Sequence, residues 1–271
     1  MTSRDDYVLG THDDEVARLG LQHLVWRPRA LDAWRRAGFT VGQTLIDVGC
    51  GPGYATLDLA DIVGPRGRIV AIDKSRRFLD VLEERASRRG LARIEAHALD
   101  LDDAALPPVA ADGAWARWVF AFVRNPRALL GRVAECLRPG GTFVFHEYID
   151  YRVWRTAPRC ESIEEFVAAV MASWRASGGE PDIGLELPGW LGELGFTLAS
   201  IRPIVDVVSP ANFVWQWPKA FLQVNLDRQV ALGTLSAARA AEIARDLERL
   251  EAEPHTLMIT PLVIEIIAVK P

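Results

Sequence analysis

Lysine is nearly missing from this chain. Among 271 residues only Lys74, Lys219 and Lys270 carry an ammonium group. Arginine supplies the other basic charges, and no arginine-rich block stands apart from helical patterns. The net charge of −5 excludes the basic surface of a dedicated nucleic-acid binder. Cysteine is scarce as well. Cys50, Cys136 and Cys160 form no C-x-x-C pair and have no histidine at ligand spacing. That argues against a disulfide framework or a metal site, and it fits a reducing cytoplasm. No run of about 18 apolar residues exists, so no spanning helix or membrane partner is expected. The opening Met-Thr-Ser-Arg-Asp-Asp lacks the apolar region of a secretion signal.

Apolar residues, at 49%, are plentiful enough for a large core. Helical spacing of Val16, Leu19, His23 and Trp26 predicts a helix over 13–26. Pro28 suits the first turn of a second helix, through Trp34 to a stop at Gly38. Strand and helix patterns alternate from Gly42. Strands are expected at 44–48, 68–72, 94–98, 113–120 and 142–146, with helices at 55–63 and 76–89 and one opened by Pro126. This rhythm implies a parallel sheet covered on both faces. Beyond His146 it changes to helices at 162–177 and 187–194, a strand at 197–207, a long helical insertion at 210–251 and a closing strand at 259–269. One domain over 1–271 is expected. It divides into an N-terminal helical lid (1–41), a ligand-binding core (42–150), helical insertions (151–185 and 208–256) and the last strand (257–271).

The stretch Leu45 to Ala60 organises the rest. A short apolar strand is followed by Gly49, Gly51 and Gly53, and then a helix begins. Strand, glycine turn and helix let backbone approach a ligand closely at the carboxyl edge of a sheet. Asp73 lies 20 residues beyond Gly53 at the end of the second strand, where a carboxylate can accept both hydroxyls of a ribose. Asp100, just past the third strand, is placed to accept from an adenine amino group. A dinucleotide fingerprint requires a glycine one place later than Gly53, and Tyr54 stands there. The dinucleotide-dependent oxidoreductase therefore becomes the alternative, and S-adenosylmethionine (SAM) the favoured ligand.

Asp47-Val48-Gly49-Cys50-Gly51-Pro52-Gly53 resembles motif I of the class I SAM-dependent methyltransferases. Ala71-Ile72-Asp73-Lys74-Ser75 is similar to the family's acidic end of the second strand. Asp112 to Val119 and Leu137-Arg138-Pro139-Gly140-Gly141 resemble its fourth-strand segment and its turn into the fifth strand. The resemblance implies an α/β fold with a seven-stranded, mostly parallel Rossmann-like sheet, helices on both faces, an antiparallel last strand and helical lid insertions. It implies SAM as cofactor and a small, partly apolar organic acceptor. Carried over, Gly49, Gly51 and Gly53 would meet the methionine part and Asp73 the ribose. Lys74 would flank the adenine, Asp100 and Leu101 would hold its edge, and the Arg117 carbonyl would meet the amino group. Tyr7 and Gln22 are further cofactor candidates from the N-terminal lid. His146 and Glu147, at the ligand end of the fifth strand, are the candidate catalytic acid–base residues. Tyr151, Trp154, Arg155 and Trp215 are candidate substrate-pocket residues. A non-catalytic SAM-binding protein is the third possibility, and the pattern leaves the methyl-accepting atom and the oligomeric state open.

Overall fold

The computed structural model describes residues 13–91 and 93–271. The candidate Tyr7 lies outside them. Seven strands form the main sheet: β1 (Thr44–Val48), β2 (Arg68–Asp73), β3 (Ile94–Ala98), β4 (Ala111–Arg117), β5 (Leu137–Asp150), β7 (Thr197–Ile204) and β10 (Leu262–Val269). Their order is β3-β2-β1-β4-β5-β10-β7. The five strands from β3 to β5 are parallel, and β10 runs antiparallel to both of its neighbours. The strand order reverses between β1 and β4, and such a reversal opens a crevice at the carboxyl ends of the strands.

Alternate residues of each strand feed the two faces. Ile46, Val70, Ala114 and Phe143 pack to one side with α4 (Pro126–Cys136) and α6 (Leu187–Glu193). Leu45, Ile69, Trp115 and Val144 pack to the other with α1 (Asp13–Arg36) and α2 (Tyr54–Val63). The helix α3 (Arg76–Arg88) buries Phe78, Leu79, Leu82 and Ala86 along one stripe, and the Ser75 hydroxyl caps it by accepting from the Phe78 N–H at 3.2 Å. A second, aromatic core joins α1 to α5 (Glu161–Ala176), α7 (Gln216–Ala231) and α8 (Ala237–Ala252). A small sheet of β6 (Arg155–Ala157), β9 (Leu257–Ile259) and β8 (Val207–Val208) ties the inserted segments together.

Several expected boundaries move. The two N-terminal helices are one, because α1 runs straight through Pro28. Proline removes only the bond to the carbonyl of Leu24, and Leu24 and Pro28 lie on the water-facing side of the helix. The fourth strand stops at Arg117 instead of Phe120. Trp118 takes a left-handed φ of 52°, and the next two N–H groups turn away to a side chain. The fifth strand is longer than expected, and its register on β4 shifts between Leu137 and Thr142. The long insertion contains two helices, α7 and α8, rather than one.

Candidate active site

Two cavities open at the reversal between β1 and β4. They share Gly49, Trp118 and Phe122 as a common wall. The smaller, about 520 Å³, is lined by Asp73, Lys74, Asp100 and Leu101. The larger, about 750 Å³ with its mouth, is lined by Gly51, Gln22 and Arg117, and by rings from six elements and the turn after β4.

Motif I builds the floor. Gly49, Gly51 and Gly53 all have positive φ, near 66°, 53° and 80°. They serve different ends. A Cβ at Gly51 would point into open space, so this residue keeps bare backbone toward a ligand. A Cβ at Gly49 would strike Val119 at 2.5 Å, and one at Gly53 would strike Leu82 at 2.3 Å. Gly49 therefore admits the turn after β4, and Gly53 admits α3. Gly53 itself lines neither cavity.

Asp73 is buried at the end of β2. Its two oxygens accept from the Gly51 and Ser75 N–H groups, each at 2.8 Å. Burial raises its pKa against those bonds. Lone-pair capacity remains on the carboxylate for a ligand hydroxyl. Asp100 spends one oxygen on the Asp102 N–H at 2.9 Å. On the other side Asp47 accepts from Thr56 Oγ1 at 2.6 Å, and burial pushes its carboxyl up to about 7.

Arg117 is the unusual group. Its Nη1 is shielded from solvent and has no partner, and its Nη2 lies 3.4 Å from His23 Nδ1. Burial lowers its pKa to about 10. His23 Nε2 in turn lies 3.0 Å from Asp58 Oδ2. That fixes the tautomer: Nε2 donates to Asp58, and Nδ1 accepts from Arg117. The sequence suggested a role for the Arg117 carbonyl, and the structure adds its side chain.

The expected acid–base pair lies behind the cavity wall, not in it. His146 is fully buried, 3.2 Å from Glu265 Oε2, and burial lowers its pKa. Glu147 is also fully buried. Its Oε1 accepts from the Val119 and Phe120 N–H groups at 2.7 and 2.9 Å, and burial pushes its carboxyl up to about 8. It pins the turn that carries the shared wall. The expected substrate residues lie apart from the cavities too. Tyr151, Trp154 and Trp215 are buried in the aromatic core, and Trp215 Nε1 donates to Glu251 at 2.7 Å. Arg155 is exposed on β6, where its Nε donates to the Arg152 carbonyl at 3.3 Å.

The rings that do line the larger cavity are Tyr54, Trp115, Trp118, Phe122, Tyr148, Trp174 and Phe221, with Phe78 at its edge. Reading β5 through to Asp150 would have found Tyr148, two residues past His146 on the same face. Arg18 was findable from Gln22, one helical turn away, and the two are bonded at 2.8 Å. Nothing in the pattern marks Trp174 and Phe221, because each is one apolar residue among many on its helix.

A family model described as a methyltransferase domain matches residues 39–176, half of the chain. The chain belongs to that methyltransferase family. A 37.1 kDa transposon protein of Streptomyces fradiae is 28% identical over 232 residues, covering 82% of this chain and 62% of that one. Nocamycin O-methyltransferase of Saccharothrix syringae is 34% identical over 100 residues, 37% of this chain and 36% of its own. This methyltransferase-family chain thus spans less than two thirds of either curated relative. The crystal structure of the cyclase SpnF shares the fold, with a TM-score of 0.58 at 18% identity, covering 90% of this chain and 81% of that one. The family's cofactor is SAM, and the residues fit it. Open space above Gly51, spare lone pairs on Asp73 and a second cavity joined at Gly49 match a molecule with a nucleoside at one end and an amino acid at the other.

Proposed function

We propose that this protein transfers the methyl group of SAM to a small, partly apolar acceptor. The observation that carries the reading is the junction of the two cavities. An acidic cavity suited to a nucleoside meets an aromatic one at Gly49 and Trp118. SAM supplies an electrophilic methyl group. The protein's part is alignment: Asp73 and Asp100 hold the nucleoside end, the Gly51 backbone borders the methionine arm, and the rings orient the acceptor. Trp174 of α5 and Phe221 of α7 reach the aromatic cavity, which supports the two helical insertions as its roof. The O-methyltransferase among the relatives favours the small-molecule reading. Net negative charge speaks against a nucleic-acid partner, and three free cysteines favour the cytoplasm.

The oxidoreductase reading loses ground at α2. Gly20 of α1 packs against Tyr54, whose hydroxyl donates to the Val16 carbonyl at 3.1 Å. α1 thereby covers the helix end on which a pyrophosphate would sit. Calorimetric titration with SAM, S-adenosylhomocysteine and NAD tests the reading. SAM and its product should bind and NAD should not. Preference for NAD would overturn the assignment, and SAM binding without any methylated product from a broad acceptor panel would leave a binding protein.

A further inference from the structure

The cavity beside the cofactor arm holds a cation with an unmade bond. Arg117 Nη1 is shielded and unpartnered, and so is Nε1 of the adjacent Trp118. Both atoms can only donate. Asp47, Tyr148 and Asp58 all act on the Arg117 charge, but none of them bonds to Nη1. Arg18 is already paired with Glu15 at 2.7 Å, and Asp47 is engaged by Thr56. Asp58, whose charge also reaches Arg117, is held by His23 and by Arg27 at 2.7 Å. Tyr148 lines the same wall, stacked on Trp118 with centroids 5.2 Å apart and planes 14° apart. The Arg117 guanidinium lies 5.8 Å and 5.4 Å from the Trp115 and Trp118 rings.

Resting on the methyl-transfer reading above, we propose that the acceptor is a planar molecule held as an oxyanion, a phenolate or an enolate, with its charged oxygen on Arg117. Three observations converge on it. A buried guanidinium with a free N–H is completed by an anion, in a charge-assisted bond about twice as strong as a neutral one. A sulfonium brought into the same cavity adds a second positive charge, and an anionic acceptor neutralises it. Neither His146 nor Glu147 borders the cavity, and an acceptor already ionised needs no base there. The proton leaves to solvent before transfer. The acceptor oxygen then forms its bond to the methyl carbon, while the methyl–sulfur bond breaks and leaves its electron pair on sulfur. The methylated ether and S-adenosylhomocysteine result.

The probe is a panel of planar phenols and enols, led by 4-nitrophenol, whose anion absorbs visible light. Each is titrated against pH on protein saturated with S-adenosylhomocysteine. The bound probe should ionise at a pH at least about one unit below its value in water. Arg117→Gln should abolish that shift and weaken probe binding roughly ten- to a hundredfold, while Arg117→Lys keeps part of both. Affinity for S-adenosylhomocysteine should fall less than affinity for the probe in either variant. Loss of cofactor affinity with an unchanged probe titration overturns the inference, because Arg117 would then serve the carboxylate of the cofactor. Probes bound preferentially as neutral molecules, or a panel with no binder, also overturn it. If Arg117→Gln does not fold, the wild-type titration and Arg117→Lys decide. A wild-type protein that fails to bind S-adenosylhomocysteine would instead remove the methyl-transfer reading itself.

Discussion

Glu147 shows how one side chain can shape a site it never touches. Its pKa in the folded protein, about 8, stands above the ordinary value of 4.5, because burial penalises the charge more than the backbone N–H groups of Val119, Phe120 and Ala121 reward it. The stability linked to this group is therefore complete below about pH 4.5 and is lost as pH rises through about 8. Glu147→Gln keeps an acceptor for the turn and removes the titration. Urea midpoints at pH 5 and pH 8.5 should fall in the wild type and change less in the variant. Parallel behaviour would remove Glu147 as the titrating group. Asp73 invites a second substitution. Asp73→Ala should weaken SAM binding by about 1–3 kcal/mol, read by calorimetry, and it strands the Gly51 N–H as well. Unchanged affinity would refute the ribose contact. The place of Asp73 on the smaller cavity was legible from its spacing to Gly53, whereas that of Glu147 was not, since sequence position does not reveal which way a strand-end carboxylate points.

At the scale of elements, the glycine turn is where packing is least forgiving. Gly53→Ala would force a methyl group into Leu82 and strain a left-handed residue. The cost should be about 2–4 kcal/mol, measured by denaturant unfolding. A neutral result would mean that α3 can shift away freely. The strands and helices of the core were legible because buried parallel strands and amphipathic helices impose strong periods. Proline 28 misled, since a break is a statistical tendency and one lost bond on the water-facing side of the helix is a local cost. The end of β4 misled for a different reason. The run Trp118-Val119-Phe120 is apolar like a strand, yet the Val119 and Phe120 N–H groups belong to the Glu147 side chain, 27 residues or more away. The small sheet was invisible because its strands are two or three residues long and pair only across great sequence distance.

Across the whole molecule, the aromatic core joins α7 and α1 to Trp118, the wall the two cavities share. Trp217 of α7 meets Trp26 of α1 edge-on, with centroids 4.9 Å apart, and stacks on Trp118 at 5.5 Å. Trp217→Ala should cost about 3–5 kcal/mol of stability. It should also raise the acceptor KM more than that for SAM, since Trp118 loses its backing ring. Equal effects on both constants would mean that the roof and the cofactor edge act as one unit. The sheet carries a consequence in time. The strands from β3 to β5 find their neighbours as soon as Asp150 has left the ribosome, but β7 has no partner until β10 is made. Until then two hydrogen-bonding edges stand open, each a template for a neighbouring nascent chain. β10 is the clasp that closes both at once, so chains released just before Leu262 should aggregate, and chains released after Pro271 should not.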